Sequence, residues 1–206
     1  MKLLLIGPPA SGKGTIGEKL SKEFHIPLIS VGELLRSVPE DRPQRKKIDE
    51  VMESGELVPQ DIVAELLKEE VSKESAKDGF IFDGWGRRKE DLEYFDPVFD
   101  HVIYLKVSPE TSIKRITARR TCEKCEAVYN LISVPPKEPG ICDLCGGNLI
   151  QREDESEETT RRRLEIFNEE TKETIDYFRN QGKLLEIDGE GSPDEVYDLV
   201  KKALGY

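Results

Sequence analysis

The chain has 206 residues, 36% hydrophobic and 35% charged, with a formal net charge of −11. That length accommodates one α/β domain with insertions and a sizeable core, and the acidic balance excludes a general nucleic-acid binder. No apolar run approaches the ~20 residues that span a bilayer. Met1-Lys2 leads directly into apolar residues without a secretion pattern, so a cytoplasmic chain is expected.

The first apolar run, Leu3 to Ile6, predicts a buried strand, and Ile16, Leu20 and Phe24 then recur at helical spacing. Between them lies Gly7-Pro8-Pro9-Ala10-Ser11-Gly12-Lys13-Gly14-Thr15. A Gly-x4-Gly-Lys turn between a strand and a helix is a phosphate-binding loop. Its glycines let backbone N–H groups converge on an anion, and the helix start adds positive potential. Lys13 supplies a point charge for phosphate oxygens and Thr15 a hydroxyl for Mg²⁺.

Ile26 to Ser30 predicts a second strand that turns through Val31 and Gly32 into Leu34-Leu35-Arg36. Ser37 to Ser54, polar and punctuated by Pro39 and Pro43, predicts a small helical insertion on the surface. Gly55 to Pro59 closes it, and Asp61 is placed to cap a helix carrying Ile62, Val63, Leu66, Leu67 and Val71. Gly79 to Gly84 and Val102 to Val107 are further strands, with Pro109 opening a helix after the latter. Residues 121–151 change character, rich in cysteine, glycine and proline, and form a second insertion. Glu153 to Gly182 reads as one long helix, Leu184 to Ile187 as a last strand, and Ser192-Pro193-Asp194 as the start of a final helix. Five strands alternating with helices predict a parallel sheet covered on both faces: an α/β three-layer sandwich.

In such a sheet ligands bind beyond the carboxyl ends of the strands, where the phosphate loop and Asp83 both fall. Asp83 can hold Mg²⁺ there, or serve as a plain cap. Arginines stand mostly at segment junctions: Arg36, Arg87, Arg88, Arg115, Arg119, Arg120, Arg152 and the run Arg161 to Arg163. Phosphoryl transfer requires neutralisation of charge on donor, acceptor and the group in flight, which planar guanidinium groups do bidentately. Cys122-x2-Cys125 and Cys142-x2-Cys145 have the spacing of two knuckles around one Zn²⁺. Four thiolates leave no open coordination position, so the expected role is structural. Four unrelated thiols, or a nucleic-acid-binding knuckle, are the competing readings, and the absence of a basic–aromatic stripe counts against the second.

Together these stretches resemble a nucleoside monophosphate kinase of the adenylate kinase family in its zinc-lid form, over nearly the whole chain. Gly7 to Thr15 resembles the family's phosphate loop, with Ala10 where glycine is usual. Leu28 to Arg36, Gly55 to Val58 and Phe80 to Arg87 are similar to its acceptor-binding segments. Arg115, Arg119, Arg120, Val128-Tyr129, Arg152, Asp154 and Arg163 match its lid and hinge.

The resemblance implies a P-loop core (1–30, 60–117 and 155–206), an NMP-binding insertion (31–59) and a zinc-binding lid (118–154). It implies ATP binding by Ala10, Ser11, Gly12, Lys13, Gly14, Thr15, Arg119, Val128 and Tyr129. NMP binding falls to Val31, Arg36, Glu56, Leu57, Val58, Gly84, Arg87, Asp91, Arg152 and Arg163. Lys13, Asp83, Arg119, Arg152 and Arg163 are the implied catalytic residues, with Mg²⁺ accompanying ATP and with no nucleic-acid or membrane partner. A chain that closes lid and insertion on itself is expected to be a monomer. The implied reaction is ATP + AMP = 2 ADP by direct in-line transfer.

Three departures bear on the acceptor: Val31 for threonine, Trp85-Gly86 for Phe-Pro, and Asp91 where adenylate kinases carry glutamine. A carboxylate only accepts hydrogen bonds, so Asp91 suits a donor-rich base edge such as guanine's. The alternatives are therefore an acceptor base shifted from adenine (GMP or a pyrimidine), with Asp91 instead a solvated helix residue if the loop register differs. A kinase of another small acceptor on the same core, or a nucleotide-sensing protein without turnover, are further readings.

Overall fold

The computed structural model describes residues 1–152 and 154–206. In chain order its strands are β1 (Lys2–Ile6), β2 (Leu28–Ser30), β3 (Phe80–Asp83), β4 (His101–Lys106), β5 (Arg119–Cys122), β6 (Val128–Asn130), β7 (Leu149–Ile150) and β8 (Leu184–Asp188). The helices are α1 (Lys13–Phe24), α2 (Val31–Arg36), α3 (Arg45–Glu53), α4 (Gln60–Val71), α5 (Asp91–Tyr94), α6 (Pro109–Thr117), α7 (Glu157–Ile166), α8 (Lys172–Asn180) and α9 (Pro193–Ala203).

The five expected strands form one parallel sheet in the order β2-β3-β1-β4-β8. β1 is central, and Leu3, Leu4 and Leu5 are fully buried, because a strand covered on both faces must be apolar at every position. Leu3 and Leu5 join Ile16 and Leu20 of α1 and Val196 and Val200 of α9 on one face. Leu4 points the other way, toward Phe82, Leu67 of α4 and Ile175 and Phe178 of α8. The strands' common polarity brings the carboxyl ends of β1, β2 and β3 to one edge, and the chain leaves each of them into a turn or helix at that edge.

The second insertion forms its own antiparallel sheet, β6-β5-β7. Within residues 37–54 only Arg45–Glu53 is helical, since the prolines hold the preceding residues out of helix. Its Ile48 is fully buried against the core, so this insertion is more than a surface ornament. Asp61 does not cap α4, which begins at Gln60 after Pro59; the carboxylate lies in the first turn, where it still meets the positive helix end.

The expected long helix is also altered. Its predicted first residue, Glu153, lies outside the described residues, and the helix starts at Glu157, where the Ser156 hydroxyl accepts from the Thr159 N–H at 3.0 Å. A π-helical turn, Phe167–Thr171, then separates α7 from α8.

Candidate active site

The phosphate loop is shaped by two left-handed residues, Ala10 (φ 54°) and Gly12 (φ 96°), immediately before α1. Gly7 has no substitute: a Cβ there would stand 2.5 Å from Ser11 Oγ and 2.7 Å from the Leu105 carbonyl. Lys13 Nζ folds back over the loop and donates to the carbonyls of Gly7 (2.9 Å) and Pro8 (3.0 Å). Burial lowers its pKa to about 8; Asp83 opposes that shift, whereas Arg87 and Arg119 add to it. Asp83 ends β3 facing the start of α1, about where a side chain on Gly14 would touch its Oδ2, at 4.0 Å.

One cleft of about 1270 Å³ runs from this loop between the two insertions. Every residue expected to bind either substrate lines it, from Ala10 to Thr15, through Val31, Arg36, Glu56, Leu57, Val58, Gly84, Arg87 and Asp91, to Arg119, Val128, Tyr129, Arg152 and Arg163. Trp85 closes the floor on one side, buried, its Nε1 donating to the Phe95 carbonyl at 2.9 Å. Arg87, exposed at the cleft, donates from Nε to the Gly84 carbonyl at 3.2 Å.

Asp91 is not the solvated helix residue that a shifted register would make it. It is buried at the start of the one-turn α5, accepts from the Arg88 N–H at 3.0 Å, and is raised in pKa by burial. Its carboxylate therefore ties down the Arg87–Arg88 loop while facing the cleft.

Four of the arginines surround two acids. Arg163 Nη2 lies 2.7 Å from Asp154 Oδ2, and Arg36 Nη1 is 4.0 Å from the same oxygen. Arg119 Nε lies 3.0 Å from Glu155 Oε1, with Arg152 Nη1 at 4.0 Å. Burial works against the charged form of Asp154, yet the hydrogen bond and charge of Arg163, with Arg36 and Arg152, hold its pKa below the ordinary carboxylate value. Glu155 is only 2% exposed and its Oε2 has no hydrogen-bond partner among the described residues.

Sequence reasoning passed over Glu155; the signal available was its place in an acid run between two cleft arginines. By contrast Arg120 turns to the carbonyls of Thr117 and Arg119, Arg161 to Glu157, and Arg162 to Glu56. Arg115 donates to the carbonyls of Glu190 and Gly191, pinning the loop after β8 at the rim of the cleft.

The four cysteines meet beside the outer end of the cleft. All four sulfurs lie within 4.8 Å of one another, with Cys122–Cys145 at 3.5 Å and Cys125–Cys142 at 3.6 Å. Tetrahedral thiolates about 2.3 Å from Zn²⁺ stand roughly 3.8 Å apart, so this donor set fits the ion and can hold a metal. The two knuckles are built alike. The amides of Glu126 and Gly146 donate to the carbonyls of Cys122 and Cys142, whose own amides donate to Ala127 and Gly147. Gly147 lets the backbone pass the cluster, since a Cβ there would be 2.9 Å from Cys122 Sγ.

A phosphate loop at the carboxyl edge of a parallel sheet, opening into a cleft of facing arginines, defines a P-loop phosphotransferase. The profile of the family described as adenylate kinase matches residues 5–183. The chain is 41% identical to the adenylate kinase of Caldicellulosiruptor bescii, covering 100% of this chain and 99% of the relative. It is 39% identical to that of Thermosipho africanus (97% of each) and 41% identical to that of Archaeoglobus fulgidus (99% and 98%). The chain belongs to the adenylate kinase family, and is an enzyme of the phosphotransferase class.

Proposed function

We propose that this chain catalyses ATP + AMP = 2 ADP in the cleft described, by direct transfer between the two bound nucleotides. The full-length likeness to adenylate kinases does not favour a shifted acceptor base, another small acceptor or a sensor without turnover. The observation that carries the reading is the convergence of Lys13 with Arg36, Arg87, Arg119, Arg152 and Arg163 on one enclosed space at the phosphate loop.

The loop from Ala10 to Thr15 holds the donor phosphates, its backbone N–H groups and the α1 start facing the anion. Lys13 exchanges its carbonyl partners for phosphate oxygens, a gain that grows because the lysine is already desolvated. Thr15 and Asp83 are the groups that would hold Mg²⁺, which when bound neutralises charge on the β- and γ-phosphates.

Arg36 and Arg87 take the acceptor phosphate, with the acceptor base lying among Val31, Leu57, Val58, Gly84 and Asp91. Arg119, Arg152 and Arg163 absorb charge on the phosphoryl group in flight; a positioned donor of this kind is worth about 10²–10³ in rate. Asp154 and Glu155 hold these guanidinium groups in place until phosphates compete for them. Val128 and Tyr129 wall the donor base.

Residues 1–30, 60–117 and 155–206 are the core, 31–59 the acceptor-binding insertion and 118–154 the lid, and their closure keeps water from the γ-phosphate. Zn²⁺ is the ion for the four cysteines, and its role is structural. The site is complete within one chain, which supports a monomer. No helix among the described residues is long and apolar enough to cross a membrane, and a cytoplasmic enzyme fits a reaction on free nucleotides.

The test is a coupled assay with Mg·ATP against AMP, GMP, CMP and UMP, using wild type and Lys13→Ala. Wild type turns over AMP at least a hundredfold faster than the others, and Lys13→Ala loses more than a thousandfold of that rate without loss of folded structure by circular dichroism. Equal rates across the bases, or retained activity in Lys13→Ala, would overturn the reading.

A further inference from the structure

Among the described residues, Tyr129 is the one side chain shared by the cysteine cluster and the wall of the cleft through a hydrogen bond to a cysteine sulfur. It sits in the middle of β6, only 7% exposed, in the small buried cluster formed with Cys122 and Cys142. Its hydroxyl lies 3.5 Å from Cys142 Sγ and also accepts from the Asp143 N–H at 2.8 Å. The amide occupies a lone pair of the phenol oxygen, so the phenol proton is free to point elsewhere. A metal-bound cysteine is a thiolate and has no proton to give. Between these two partners only one arrangement works: Asp143 donates to Tyr129, and Tyr129 donates to Cys142.

We infer that the Tyr129 hydroxyl is an outer-shell donor to the Cys142 thiolate, joining the metal site to the strand that lines the cleft. The consequence is twofold. The hydrogen bond withdraws charge from one of four thiolates, which together place a net −2 on a divalent ion's complex, and so favours the loaded site. It also fixes the ring of Tyr129, and with it Val128 and Asn130 on either side, in the cleft wall. This rests on the reading of the four cysteines as a metal site and is independent of the phosphotransfer reading.

The test uses the full-length protein loaded with Co²⁺, whose thiolate-to-metal charge-transfer band reports on the donor sulfurs directly. Co²⁺ binding by wild type with a four-thiolate band establishes the site; its failure to bind would sink the metal reading itself and leave nothing for Tyr129 to donate to. Given that band, Tyr129→Phe keeps the ring, removes the proton, and shifts the band to lower energy, because the freed sulfur lone pair rises. The same variant weakens metal binding about 10–100-fold in a competition with a chromophoric chelator.

A band unmoved in Tyr129→Phe overturns the inference whatever happens to affinity, since a hydroxyl that merely anchors the Asp143 loop would change binding and not the sulfur. Where Tyr129→Phe does not hold the lid together, uniform 3-fluorotyrosine labelling tests the same bond without removing it. A more acidic phenol is the stronger donor, so the band then moves to higher energy, and a stationary band again refutes the proposal.

Discussion

The parallel-sheet core and the small β5–β7 sheet reach order by different means. The core buries Leu3, Leu4, Leu5, Phe82, Phe99, Ile103 and Leu105 almost completely, on both faces of the sheet. The β5–β7 segment has three buried residues in its own cluster, Cys122, Tyr129 and Cys142, and leaves Leu144 78% and Ile132 56% exposed. At roughly 25 cal/mol per Å² of apolar area, one tyrosine and two cysteines cannot offset the ordering of some 30 residues. Four thiolates closing on one ion, as proposed for this segment, can, and would do so locally. A segment stapled in this way would keep its own shape with a light attachment to the core, which suits the lid role proposed above.

If the two regions are energetically separate, each can be damaged without the other. The largest effect is expected from Phe82→Ala. Phe82 is fully buried, stacked on Phe80 (4.6 Å between centroids) and edge-on to Phe99 (5.7 Å), so truncation should cost about 3–5 kcal/mol in urea unfolding. Metal affinity of the folded variant should stay within about twofold of wild type; a parallel fall would show that the regions are coupled.

The converse experiment is metal removal. Trp85, the sole tryptophan, is buried in the core, so its emission reports only that region. Chelation should open residues 119–150 to protease while Trp85 emission stays native until the core itself melts. Simultaneous loss of both signals would break the distinction.

The same contrast governs how much the sequence revealed. Core strands were legible because a strand buried on both faces is an unbroken apolar run, as Leu3 to Ile6 and Phe80 to Phe82 are. The phosphate loop and the two Cys-x2-Cys knuckles were legible because their chemistry fixes spacing along the chain. Asp91 was noticed for its type but its environment was not foreseen, since burial of a carboxylate depends on the Arg88 amide and on what packs over it. Glu155 was missed because one glutamate among several neighbouring acids differs only in which guanidinium groups approach it in space. The π turn at Phe167–Thr171 has no sequence signature, as its apolar and polar spacing matches that of an ordinary helix.

Smaller effects separate the regions more finely. Lys13 belongs to the core, and its pKa, lowered from 10.5 to about 8 by burial, makes the folded protein bind fewer protons than the unfolded chain between those values. Stability from this residue therefore rises with pH through that window, and it is depressed below it. From pH 7 to pH 10 the urea midpoint of wild type should therefore rise relative to that of Lys13→Met. ATP affinity should run the opposite way, falling above about pH 8 as the cation is lost. A flat difference between the two proteins would remove Lys13 as the titrating group.

The smallest effect is also the most local. Each region carries a non-glycine in left-handed conformation: Ala10 (φ 54°) in the phosphate loop and Glu126 (φ 60°) in the first cysteine knuckle. The second knuckle supplies an internal control, because Gly146 (φ 69°) occupies the matching position with the same amide-to-cysteine-carbonyl bond and open space where a Cβ would be. Left-handed backbone costs an L-residue about 1–2 kcal/mol, from which the greater entropy of an unfolded glycine subtracts about 0.4–1 kcal/mol. Ala10→Gly should then raise the urea midpoint of the core by the equivalent of about 0.5–1 kcal/mol and leave metal retention alone. Glu126→Gly should do the reverse, slowing metal loss to a chelator a few-fold with no change in the core midpoint. The strain is equal in kind at both positions, so a gain that appears only in the region carrying the substitution follows from separate cooperative units, whereas a shared gain requires a single one.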